Sequence, residues 1–223
     1  MKNTAQPAAQ VNSMPQVPKK GFPTWAKALI GTCCGGIVVI GILMGLLIYI
    51  GVKELEKVTD VKNASNEMIT AANSVTSNLN VDKEVDELLA ASTAKKVKSV
   101  LSAIKTKTDN ASTGLKDFDQ KSESFNSALA RMSAGSVKSK GQSVYNSSKK
   151  FSAAGKKLVD ARLEVLEGFD DLVKCETKKE CDAANEAIES SGADEVEAQK
   201  EFSDASIDFT KKYNDLVAEL NEA

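Results

Sequence analysis

The 223-residue chain has no histidine, one tryptophan and two arginines, Arg131 and Arg162, and its four prolines all fall at or before Pro23. Without imidazole there is no Ser-His-Asp or Cys-His nucleophile pair, no histidine ligand for zinc or haem iron, and no proton shuttle of the usual kind near neutral pH. Two isolated guanidinium groups also disfavour a bidentate phosphate clamp. No pair of carboxylates falls in an apolar setting that would raise a pKa, and no glycine-rich loop follows a strand pattern. The expectation is a protein that is not an enzyme and needs neither cofactor nor metal.

What the chain does have is one long uncharged run. Between Lys27 and Lys53 lie 25 residues without a charge, ALIGTCCGGIVVIGILMGLLIYIGV. At about 1.5 Å per residue such a helix spans a hydrocarbon core of about 30 Å. Residues 25–52 therefore read as a transmembrane helix. The run is longer than the apolar region of a cleaved signal peptide and is followed by KELEKV rather than a small-residue cleavage site, so it reads as a retained signal-anchor.

Charge sets the orientation. The leader carries Lys2, Lys19, Lys20 and Lys27 with no acid, whereas the chain from Lys53 onward holds the other 25 basic residues and all 31 acidic ones. The positive-inside rule then puts the N-terminus in the cytoplasm and the larger region outside the cell membrane. Residues 1–24, rich in Gln, Pro, Ala and Asn, lack the apolar period needed to fold alone and read as a disordered tail. Gly31 with Gly35, and Gly41 with Gly45, have the GxxxG spacing that lets two membrane helices approach closely.

Past Pro23 the sequence reads as helix throughout, with no alternating β-branched pattern. Val61, Ser65, Met68, Ala72, Val75 and Leu79 recur by fours and threes, as do Ala111, Leu115, Phe118, Ser122, Phe125, Leu129 and Met132. A third series runs from Val144 through Ser148, Phe151, Gly155, Leu158, Arg162 and Val165 to Phe169 and Leu172; a fourth runs from Phe202 through Ser206, Phe209, Tyr213 and Leu216 to Leu220. The fold class is all-α: one membrane helix followed by an extracytoplasmic antiparallel bundle or coiled coil.

Glycine and capping residues mark reversals at Ser133–Ser136 and Cys175–Cys181. Asn80 and Asp82 are candidate caps, Asp109-Asn110 is a softer break, and Ser191–Asp194 is expected to interrupt the last helix. Two arrangements of residues 53–109 follow. Either they form a stalk under a three-helix bundle of 110–223, or they pack back to complete four helices. The stalk is preferred because its series, mostly Ser, Ala and Val, is thin for a lone helix and suits a second copy of the chain.

Cys175 and Cys181, outside the membrane and with five residues between them, suit a disulfide across a helix-to-helix turn. Two thiolates without histidine fall short of a zinc site. From Ser124 to Val159 there are seven basic residues and no acid, while 160–223 holds 19 acids against seven bases. Folding about residue 178 would set Lys149, Lys150, Lys156 and Lys157 beside Glu201, Asp204 and Asp208. The same four lysines are a candidate anionic-surface contact, but they lie opposite the core positions without interleaved aromatics, so nucleic acid is not expected as a partner.

These features point to a single-pass envelope scaffold that self-associates or contacts another envelope protein. The alternatives are a sensory or accessory subunit of a membrane complex, and adhesion to an anionic envelope polymer.

Overall fold

The computed structural model describes residues 52–222, and their regular structure is entirely α-helical. In chain order the helices are α1 (Val52–Leu79), α2 (Asp82–Leu89), α3 (Ala94–Ala130), α4 (Ser136–Lys174) and α5 (Lys178–Glu222). The uncharged run and the four glycines at 31, 35, 41 and 45 lie outside the described residues. Among the described residues, no helix is long and apolar enough to cross a membrane.

The helices run up and down in register. At one end Arg131 of α3 pairs with Asp60 of α1 at 3.2 Å, and Lys140 of α4 with Glu219 of α5 at 2.5 Å. Halfway along, Lys121 meets Glu67 at 2.9 Å and Lys157 meets Glu201 at 2.7 Å. The closest packing is between α1 and α3 and between α4 and α5, and small buried residues lie along these helices: Ala71, Ala72 and Ala111 in the first pair, and Ala154, Ala161 and Ala198 in the second. Small residues let helix backbones approach, so each pair is a tight hairpin.

A layer of phenylalanines joins the two hairpins. Phe118 of α3, Phe151 of α4 and Phe209 of α5 are fully buried, with ring centroids 4.8 Å apart for Phe118–Phe151, 5.7 Å for Phe118–Phe209 and 5.5 Å for Phe151–Phe209. Phe202 adds a contact to Phe151 at 5.0 Å. Tilted and edge-on rings contribute about 0.5–1.5 kcal/mol per pair beyond their area burial, which concentrates cohesion at mid-length.

The first two apolar series are buried along their whole length, as are Val144 to Val165 of the third. Phe169 and Leu172, near the disulfide, are half-buried. The α1 series faces α3 of the same chain: Val61, Met68, Ala72 and Val75 share one core with Leu115, Phe118 and Phe125. Residues 56–79 are thus one arm of a four-helix packing, not part of a stalk.

At 28 residues α1 is shorter than the 37-residue α3, and α2 makes up the difference. The chain breaks at Asn80-Val81, continues in the same direction as α2, and reverses at 90–93, where the Thr93 hydroxyl accepts from the Lys96 amide at 3.3 Å and caps α3. Together α1 and α2 match the full length of α3. Above the end of α1, Val81, Val100 and Ile104 form a satellite core with Val85, Leu88 and Leu166.

Two expected breaks are absent. Asp109-Asn110 runs unbroken inside α3, because the flanking positions Ile104, Thr108 and Ala111 are all buried contact residues and keep the helical period. Ser191–Asp194 likewise runs inside α5. The Ser191 hydroxyl donates to the Ala187 carbonyl at 2.7 Å, and burial continues at helical spacing through Ala184, Ile188, Ser191, Glu195 and Ala198. Packing against α4 overrides the local tendency of Ser, Gly and Asp to leave a helix.

Candidate functional site

The most unusual chemistry lies where α1 ends. A helix terminus leaves carbonyls without intrahelical partners, and these favour cations. Arg162 of α4 supplies one: its Nη1 donates to the Leu79 carbonyl at 2.9 Å, while its Nε donates to Glu195 Oε1 of α5 at 2.6 Å. The Arg162 and Glu195 side chains are only 3% and 6% exposed. Lys107 of α3 supplies the second, its Nζ donating to the Asn80 carbonyl at 3.0 Å and to Glu84 Oε2 at 2.8 Å. The Asp82 amide donates to Asn80 Oδ1 at 3.1 Å, which turns the chain into α2.

Every helix of the described chain is therefore represented at this junction. Burial pushes the Glu84 carboxyl up, but its bonds to Lys107 and to its own backbone amide, together with the charges of Lys107 and Lys83, hold it below the usual range. The junction contains opposite charges and hydrogen-bond donors committed to carbonyls. Among the described residues, no group of three His, Cys, Asp or Glu side chains could hold a metal.

The four lysines do not share one set of partners. Lys149 pairs with Glu123 of α3 and its ammonium stands 5.1 Å above the Tyr145 ring. Lys156 pairs with Asp119 of α3 at 2.6 Å, Lys157 with Glu201 of α5 at 2.7 Å, and Lys150 is exposed. Because α4 sits between α3 and α5, its lysines divide between two acidic neighbours, and only Lys157 reaches the acidic stretch anticipated for all four.

The bond to Glu123 holds the Lys149 ammonium above its ordinary pKa, and the bond to Glu201 does the same for Lys157. Glu123 is lowered by Lys149 and Tyr145. For Asp119, burial acts upward, but its bond to Lys156 and the charges of Lys156 and Lys149 prevail and lower it.

Cys175 and Cys181 are joined in a disulfide with Cα atoms 5.3 Å apart. Between them the turn is closed by a capping box: Glu180 accepts from the Glu176 and Thr177 amides at 3.0 and 3.1 Å, while Thr177 Oγ1 accepts from the Glu180 amide at 3.3 Å. The Thr-x-x-Glu spacing was present in the sequence as a signal for this helix start.

The partnership of Arg162 with Glu195 is the feature sequence reading missed. An arginine at a core position of an apolar series needs a buried acid, and the fold about residue 178 puts Glu195 across from it. No protein family matches the chain, and neither a curated protein nor a solved structure matches it.

Proposed function

We propose that this protein is a single-pass membrane-anchored scaffold of the cell envelope, its helical bundle outside the membrane making contact with another envelope protein or with a second copy of the chain. The observation that carries the reading is continuity. The uncharged run Ala28–Val52 leads directly into α1, and the α1 apolar face is buried in the bundle core. An anchor joined this way would hold the bundle by one of its own helices, without a flexible linker. The lysine-bearing leader supports a cytoplasmic N-terminus.

Protease added outside intact cells tests the placement: digestion beyond Lys53 with a protected leader is expected, and protection of the larger region would overturn it. Crosslinking in intact cells, followed by identification of the captured protein, tests the scaffold role.

A second reading is favoured by one specific observation. The junction ties the end of α1 to the α4–α5 hairpin through buried polar bonds, a suitable connection for an accessory or sensory subunit whose external helices influence the anchor.

A further inference from the structure

We propose that Arg162 is a latch on the end of α1, coupling the position of that helix to the α4–α5 hairpin independently of the ion pair that holds the hairpin together. α1 and α3 approach closely at Val75, where a Cβ built on Gly114 would lie 3.2 Å from the valine side chain, and their buried apolar residues share one core. Apolar burial is non-directional, so a hydrogen bond aimed at the end of α1 adds an axial constraint of a different kind. The Phe layer is supplied by α3, α4 and α5 and includes no residue of α1. Surface ion pairs, Asp60–Arg131 and Glu67–Lys121, tie α1 to α3 along its length, and at its carbonyl end the buried tie to the α4–α5 hairpin is the Arg162 bond to Leu79.

There the guanidinium divides its work. Nε serves Glu195 across the hairpin, and Nη1, on the far side of the same planar group, serves Leu79. The group is buried, so a shift of α1 by one residue, about 1.5 Å, would break the 2.9 Å bond to Leu79 and leave Nη1 without that partner and away from water. Graded sliding is thereby penalised, and α1 is held in one place or released.

The division of labour supplies the test. Lysine at 162 retains the charge beside Glu195, but an ammonium placed there cannot also span to the Leu79 carbonyl as the extended fork does. Hydrogen exchange is measured on the full-length chain in detergent for wild type, Arg162→Lys, and Arg162→Met combined with Glu195→Leu. The expected result for Arg162→Lys is exchange at least about tenfold faster for amides 76–88, with amides in the middle of α4 and α5 within about twofold of wild type.

The double variant, which removes both charges together, is expected to show the same local loosening. Unchanged protection of 76–88 in either variant would overturn the latch. Equal loosening of the junction and the hairpin, or loss of protection throughout the chain in Arg162→Lys, would overturn it too, by making Arg162 a general support of the fold. The result does not depend on where residues 28–52 reside, which the protease experiment decides separately.

Discussion

Gly141 of α4 lies directly against Leu129 of α3: a Cβ built on the glycine would come within 2.3 Å of one Leu129 methyl and 3.0 Å of the other. Leu129 is fully buried and cannot swing into solvent. Gly141→Ala is therefore expected to destabilise the bundle by about 1–2 kcal/mol, overpacking outweighing the roughly 1 kcal/mol gained in helix propensity. Gly114→Ala meets a single Val75 methyl at 3.2 Å and is expected to be neutral or mildly stabilising. Denaturant melts of the two variants check the ranking, and equal destabilisation would count against the packing described.

The disulfide is expected to protect Cys175 and Cys181 from alkylation until a reductant is added. Replacing both by serine should lower stability by about 2 kcal/mol, the scale for closing a short loop. Rapid alkylation of freshly prepared protein would argue against the oxidised pair and against an oxidising compartment.

Replacing Arg162 alone with methionine leaves Glu195 buried without its partner and should cost about 3–5 kcal/mol. Adding Glu195→Leu should recover most of that loss, because buried ion pairs offset their own desolvation only in part. A double variant as unstable as the single one would show that the charges contribute more than mutual neutralisation. Thermal or denaturant unfolding of the three proteins closes the cycle.

Acidification has a defined sign. Asp119, Glu123 and Glu219 all have folded-state pKa values below the ordinary carboxylate range: burial acts upward on Asp119 but is outweighed by Lys156 and the charge of Lys149, Lys149 with Tyr145 lowers Glu123, and Lys140 with Ser136 lowers Glu219. A lowered folded-state pKa contributes stability above the unfolded value, which is lost as pH falls through the folded one. Stability is thus expected to hold at neutral pH and decline below about pH 4. Glu123 and Glu219 are near the surface, so salt should shrink their share. Melting temperatures between pH 7 and 3, at low and high salt, check both statements.

For assembly, the apolar face of α1 is occupied by α3 of the same chain, so it no longer argues for a second copy. The glycine pairs remain the support. Full-length protein in mild detergent is expected to be at least dimeric, with Gly41→Ile plus Gly45→Ile weakening the dimer more than changes on the opposite helix face. Monomeric full-length protein at micromolar concentration would leave a hetero-partner as the basis for the scaffold role.

Heptad spacing placed Val61 to Leu79 and Ala111 to Met132 correctly at each position of the two series, because burial on a helix leaves a period that survives the choice of Ala, Ser or Phe, but it passed over Ile69, Ala71 and Ala128, which widen the buried face. It did not reveal α2, whose eight residues include none that is buried and whose ends depend on Asn80 and Thr93. The breaks at 109–110 and 191–194 were misread because local propensity was weighed without the neighbour that holds each stretch in place. Of the junction, Arg162 was visible as a core position and Glu195 was not, since a single acid in a stretch with 19 of them carries no mark of its own.

The up-and-down register places Val52 and Glu222 at the same end of the rod, near the Asp60–Arg131 and Lys140–Glu219 pairs, and the disulfide turn at the other. The 39 residues of α4 separate those ends by about 58 Å. A fluorophore fused after the last residue would thus sit beside the point where α1 begins, while an epitope displayed between Cys175 and Cys181 would stand a full helix length away. Labels at the two sites would sample different depths of whatever layer surrounds the protein, making the rod its own measuring stick.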